Sequence, residues 1–438
     1  MKKNKAKIEN PKPKIQNRNV AAARLAAFQI LTKIETEKAF SSVLLPFFEE
    51  NLETRDRALC HELTLGVLRK QIYLDRLTEK LTGGKKLDTA VKIILRIALY
   101  QLIFLDKIPS HAAINDAVNL TQKAKKTSAK GFVNAVLRRF TREKIEPDYA
   151  DAVEKLAVET SHPRWLIGKW IGDFGFEETA DLAAANNETP KLSFRRTAKT
   201  TDAIIKSLQV ENIENEKKYL LELAENGKLY FQDEGSQIVG NAVDLKENEK
   251  FLDLCAAPGS KTTQIGSRFR IPGYRLLVAG DLHWPRVKIL QANCRKQGVG
   301  FVNIVQYDAE NGLPFADESF DVILLDAPCS GTGTIRHNPE IRYFLQEKDF
   351  SELSAKQLGI LRGASKLIKR GGRIVYSTCS LEKEENEEVT TRFLELENGF
   401  RQIAPDVPEK YLNARGFART FPQRDKMDGF FIAVFEKI

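Results

Sequence analysis

Apolar positions recur at helical spacing from residue 19 to residue 145. Leu25, Phe28 and Leu31 share one face, as do Leu59, Leu63 and Val67, and then Val91, Ile94 and Ala98. Phe132, Val133, Val136, Leu137 and Phe140 close the series before a polar break. Few residues in this span favour strand over helix, so the pattern predicts an all-α bundle. Residues 1–18 (MKKNKAKIENPKPKIQNR) offer almost nothing to bury and predict a flexible basic tail.

Residues 146–235 are mixed and predict a small α+β linker domain. The run Lys191 to Arg196 alternates apolar and polar residues, as a strand does. Its basic residues Lys191, Arg195 and Arg196, with Phe194 and Trp170 near in sequence, are of the types that hold single-stranded RNA by phosphate contact and stacking. Buried aromatics flanked by surface charge would give the same composition.

From residue 236 to 438 short apolar runs alternate with amphipathic segments. FLDL (251–254), RLLVAG (275–280), VNIVQ (302–306), FDVILL (320–325), GRIVYS (372–377) and FFIAVF (430–435) read as strands. Helical spacing runs over Thr262–Phe269, Pro285–Lys296, Ser354–Lys369 and Glu384–Leu396. This alternation predicts an α/β domain with a largely parallel sheet, helices on both faces, and a ligand beyond the carboxyl ends of the strands.

Composition narrows the setting. No apolar stretch is long enough to span a bilayer, and no apolar segment follows the Lys-rich start as a secretory signal requires, so a cytoplasmic protein is expected. The net charge of +9 suits a polyanionic partner, although a surplus of solvated lysines would produce it too. The five cysteines (Cys60, Cys255, Cys294, Cys329 and Cys379) are odd in number and widely spaced, which is a poor disulfide framework. They form no CxxC pair, and no metal is expected.

Candidate chemistry lies at the predicted strand ends. The first strand runs into DLCAAPGSKT, a small-residue turn that lets backbone approach a cofactor but lacks GxGxxG spacing. Nor is it a phosphate-binding P-loop, because Ser260 and Cys255 stand where that motif needs glycine. Asp281, Asp308 and Asp326 follow the next three strands. An acid after the second strand can accept both ribose hydroxyls, and Asp308 could take an adenine amino group. Any one of them could be a helix cap instead. Together they suit a neutral or cationic nucleoside better than a triphosphate. DAPCSGTG (326–333) and YSTCS (376–380) then each place a cysteine just past a strand. A thiolate adding to carbon 6 of cytosine makes carbon 5 nucleophilic, and an acid at N3 and the exocyclic amine, the place open to Asp326, favours that addition. Lys261 or backbone amides could lower the pKa of the attacking thiol. Spacing does not say which cysteine attacks.

DLCAAPGSKT, DAPCSGTG, YSTCS and the closing DGFF, with FQDEGSQ (231–237), resemble the bacterial RsmB-type (Sun/Fmu) ribosomal RNA cytosine-C5 methyltransferases. LRIALYQL, IPSHAAINDAVNL and GFVNAVLRRF resemble the NusB-type RNA-binding bundle of that family. The resemblance implies a Rossmann-like class I methyltransferase domain with a mixed, mostly parallel seven-stranded sheet at 236–438, behind a NusB-like bundle at 19–145 and the linker at 146–235. It implies S-adenosyl-L-methionine held by Cys255, Ala256, Ala257, Pro258, Gly259, Ser260, Lys261, Asp281, Asp308 and Asp326. It assigns Cys379 as nucleophile and Cys329 to adduct release, with small-subunit ribosomal RNA as substrate; a monomer is expected. A transfer-RNA substrate, or an RNA-binding scaffold without activity, are the alternatives. Two departures stand out. Ser260 occupies a place where the family usually has glycine, which costs about 1 kcal/mol if a positive φ is needed there. DLHWPRV (281–287) also differs, with Trp284 a candidate to pack near an adenine.

Overall fold

The computed structural model describes residues 21–143, 145–201, 213–269 and 276–438, so the expected basic tail lies outside the described residues. The chain divides after Ser161 into two compact units. In the first, helices follow the periodicity, from Ala22–Glu37 to Lys130–Arg142, and a further helix, Ala152–Glu159, packs on Gln71–Thr82. Val91, Ile94 and Ala98 are buried on the Thr89–Phe104 helix. Arg96, which interrupts that apolar face, is also buried, its guanidinium paired with both oxygens of Asp75 at 2.7 Å and with Glu35 at 2.9 Å. A buried charge held this way is tolerated because a carboxylate oxygen meets each of the three guanidinium nitrogens.

The second unit begins with helices Arg164–Phe174 and Phe176–Ala185 and a two-stranded antiparallel ribbon, β1 (Phe194–Arg196) with β2 (Leu229–Phe231). The predicted strand at 191–196 is thus only its last three residues. A larger sheet follows, formed by β3 (Phe251–Asp253), β4 (Leu277–Asp281), β5 (Asn303–Gln306), β6 (Phe320–Asp326), β7 (Ile368–Thr378), β8 (Phe400–Ile403), β9 (Ala418–Arg419) and β10 (Phe431–Lys437). Its order is β5-β4-β3-β6-β7-β10-β8, seven strands in line, with the two-residue β9 pairing β10 besides. β5 through β7 are parallel, whereas β10 runs antiparallel to β7, β8 and β9.

β3 is buried along its whole length because apolar layers cover both faces, which is why it reads as a continuous apolar run. The chain moves outward from β3 to β5 and then returns to lay β6 on the other side of β3. That reversal opens a crevice beyond the carboxyl ends of β3 and β6, the place where doubly wound sheets bind ligands.

Candidate active site

Register brings the two cysteine loops together. β6 and β7 are parallel neighbours with Asp326 opposite Ser377, so the chain leaves both strands at the same sheet edge. Cys329 and Cys379, 50 residues apart in sequence, meet there with sulfurs 3.2 Å apart. Gly333 donates its N–H to the Cys379 carbonyl at 2.9 Å and lies against the backbone of Gly429, so a side chain at 333 would collide with both. The glycines of DAPCSGTG and DGFF are in this sense required by close packing of the loops around Cys379. Behind them, the buried carboxylate of Glu385 accepts from the Ser330 N–H at 2.9 Å, the Ser380 hydroxyl at 2.6 Å and the Gln357 amide at 2.9 Å, tying one cysteine loop to the other. Burial pushes the Glu385 carboxyl upward. Two of its three partners, Ser330 and Gln357, lie in distant segments, so this tie left no local sequence signal.

Both thiols line a cavity of about 280 Å³. Leu254, Cys255 and Ala257 line it from the loop after β3, Asp281 from the end of β4 and Arg286 beyond it, Tyr307 and Asp308 after β5, and Asp326 from the end of β6. The buried Asp281 carboxylate accepts from the Ala257 N–H at 3.2 Å and pairs with Arg286 at 3.3 Å. A carboxylate has about four acceptor positions, so capacity remains toward the cavity. Asp308 receives the Glu310 N–H and the Asn311 amide, contacts that hold its carboxyl below the usual range. Three acids along one wall fit the ribose hydroxyls and positive sulfonium of S-adenosylmethionine, and they fit a triphosphate poorly.

Other members of the predicted set shape the turn without lining the cavity. Ala256, Pro258, Gly259, Ser260 and Lys261 are not among its lining residues. Gly259 has φ +99°, and a Cβ there would come within 2.7 Å of Leu290. Ser260 starts the Ser260–Gly266 helix and has no positive φ, so serine carries no strain and the expected penalty is withdrawn. Trp284 is 52% exposed, beneath Lys288 and outside the cavity, because its helix turns that face to solvent. Cys255 remains a thiol, pushed up by burial and by the nearby acids Asp253, Asp281 and Asp326.

Asp326 is not a free acid. One oxygen accepts the Lys261 ammonium at 2.6 Å and the other the Ser377 hydroxyl at 2.8 Å. Burial alone would lower Lys261, but the charge and hydrogen bond of Asp326 and the charge of Cys379 outweigh it and raise it. Lys261 is therefore a fixed cation within electrostatic reach of Cys379. Cys329 is raised well above its usual value, first by its hydrogen bond to Cys379 and then by burial.

The basic and aromatic residues of the linker segment do not form one exposed surface. Trp170 is 0% exposed and donates its indole N–H to Glu382 at 3.0 Å. Arg195 is 7% exposed, while Lys191 and Arg196 remain at the surface. Asp233, His337 and Asp428 also cluster, but the Arg336 guanidinium pairs with both acids, at 2.6 and 2.7 Å, and supplies the positive charge there. Among the described residues no helix is long and apolar enough to cross a membrane.

The switch-point crevice, its strand-end acids and the paired thiols define a nucleoside-cofactor transferase on a methyltransferase-type sheet. Residues 241–436 match the family described as 16S rRNA methyltransferase RsmB/F, residues 21–142 the NusB family, and residues 162–224 the RsmF/B-like ferredoxin-like domain. The chain is 34% identical to the probable ribosomal RNA small subunit methyltransferase B of Bacillus subtilis, over 95% of this chain and 99% of that one. It is 33% identical to ribosomal RNA small subunit methyltransferase B of Pseudomonas putida, over 95% and 98%. The crystal structure of PH0851 shares the fold, with TM-score 0.79 and 24% identity over 96% of this chain and 99% of that one. The chain belongs to the 16S rRNA methyltransferase RsmB/F family. It is an RNA methyltransferase, and its cofactor is S-adenosylmethionine.

Proposed function

We propose that this enzyme methylates carbon 5 of a cytosine in small-subunit ribosomal RNA, through a transient bond between the Cys379 sulfur and carbon 6. The observation that carries the reading is the 3.2 Å approach of two sulfurs on the wall of the cavity that also presents Asp281, Asp308 and Asp326. Asp281 and Asp308 hold the nucleoside end of the cofactor, and Cys255 and Ala257 line its place. Bound there, S-adenosylmethionine supplies an electrophilic methyl group.

Carbon 5 of cytosine is a weak nucleophile until a thiolate adds at carbon 6. Cys379 makes that S–C bond, with Lys261 opposing the negative charge that develops. Asp326, its two oxygens already bonded by Lys261 and Ser377, accepts from the exocyclic amine. This revises the simpler expectation of a free acid at that position. Adduct formation removes the thiolate that held the Cys329 proton. Cys329 can then lose that proton to water and take the one on carbon 5. The carbon 5–carbon 6 double bond re-forms as the Cys379 sulfur leaves as thiolate. With the methyl group taken up by carbon 5 and the cofactor left as S-adenosylhomocysteine, one proton goes to water, Cys329 returns to a thiol and Cys379 to a thiolate.

Two variants and one map test this. Cys379→Ala should abolish methyl transfer, and full activity there would eliminate the nucleophile. Cys329→Ala should accumulate a protein–RNA species that survives denaturing electrophoresis, whereas free turnover would refute its part in release. Bisulfite sequencing of small-subunit RNA treated with the enzyme should reveal one new protected cytosine, and an unchanged map would overturn the choice of base.

A further inference from the structure

Strand β1 sends a guanidinium into the catalytic interior. Arg195 donates through Nε to the Gln232 side chain at 2.6 Å and through Nη1 to the Arg196 carbonyl at 3.1 Å. Its Nη2 reaches the Ser260 carbonyl at 2.9 Å, the Thr263 hydroxyl at 2.6 Å and the Gln297 side chain at 3.0 Å. The guanidinium carbon sits 4.9 Å from the centre of the Tyr230 ring. Among the described residues no carboxylate pairs with it, and burial lowers it to about 10. A cation buried among neutral acceptors is a costly way to fill space, since apolar residues of similar volume pack as well or better. What the guanidinium adds is a rigid fork that grips several acceptors at once.

Those acceptors belong to the cofactor turn. Ser260 and Thr263 form the first turn of the helix that directly follows Cys255–Gly259. The Thr263 hydroxyl also bonds the Gly259 carbonyl at 2.6 Å. At the other end of the turn, the Ala257 N–H meets the Asp281 carboxylate. Gln232 extends the same grip, donating to Gln264 of that helix at 2.9 Å. We infer that Arg195 is a positioning residue for S-adenosylmethionine: contributed by the linker ribbon, it braces from behind the turn that carries Cys255, Ala257 and the Asp281 contact. It does so without touching RNA. The inference concerns the cofactor alone and does not depend on which base is methylated or which thiol attacks.

The test separates cofactor from RNA. Arg195→Met should weaken S-adenosylhomocysteine binding by about tenfold or more in calorimetry, the size expected from losing one charge-assisted hydrogen bond. It should raise KM for S-adenosylmethionine similarly while leaving KM for RNA within about twofold. Arg195→Lys, which keeps charge and loses the fork, should recover only part of the loss. Unchanged cofactor affinity in either folded variant would overturn the inference, as would a rise confined to KM for RNA. If Arg195→Met does not fold, Thr263→Val decides: it removes the hydroxyl linking the guanidinium to Gly259, and unaltered affinity there overturns the inference equally.

Discussion

Asp253 is the clearest electrostatic debt in the catalytic unit. It ends β3 fully buried, with one carboxylate oxygen accepting from Thr262 at 2.6 Å and the other without a hydrogen-bond partner among the described residues. Burial first, then the charges of Asp326 and Asp281 against that of Lys261, lift it from 3.8 to about 7. The folded state therefore keeps this proton up to about pH 7, while the unfolded chain loses it near 3.8. The raised value favours the folded state fully below pH 3.8, and the advantage is lost as pH rises toward 7. Asparagine does not titrate. Whatever fixed effect Asp253→Asn has, the stability of the variant relative to the parent should grow by roughly 2 to 3 kcal/mol between pH 5 and 8, each pKa unit being worth about 1.4 kcal/mol. Urea titrations followed by tryptophan fluorescence read this well, because Trp165, Trp170 and Trp284 all lie beyond Ser161 and report the second unit alone. A parent–variant difference that stays flat from pH 5 to 8 would show that Asp253 ionises in the folded protein as it does in water, and the burial argument would fail.

Further outcomes follow from single contacts. Glu385→Ala strands the Ser330 N–H, the Gln357 amide and the Ser380 hydroxyl in a buried site, and should cost about 3–5 kcal/mol in the same urea titration. A loss below 1 kcal/mol would mean that water satisfies those groups. Asp281→Ala should weaken S-adenosylhomocysteine about 100-fold, from two lost charge-assisted bonds, with the rate at saturating cofactor largely kept. A change under threefold in calorimetry would remove Asp281 from the ribose.

What the sequence discloses depends on whether the deciding contact is periodic or remote. β3 and β6 are buried on both faces and stand out as apolar runs, and their adjacency to β4 and β7 follows from alternation with helices. That alone foretells that the loops after β6 and β7 meet, and so that Cys329 approaches Cys379. β8 escapes detection because FRQI lies at a sheet edge, paired on one side only by β10, where polar residues cost nothing. The Lys261–Asp326 pair joins positions 65 apart and leaves no local trace, so Asp326 reads as a free acid when it is a neutralised one. Arg195 fails differently. Basic residues beside aromatics suggest a nucleic-acid surface, yet strand period 2 puts Arg195 on the face opposite Phe194 and Arg196, and in the structure only Arg195 of the three is buried. The alternation that identified the strand therefore already separated this arginine from the exposed one beside it. Alternation separates the two arginines but does not choose the inner face: the apolar positions Leu192 and Phe194 would turn Arg195 outward, and it is buried instead because the Ser260 carbonyl, the Thr263 hydroxyl and the Gln297 side chain, all remote in sequence, offer its guanidinium acceptors.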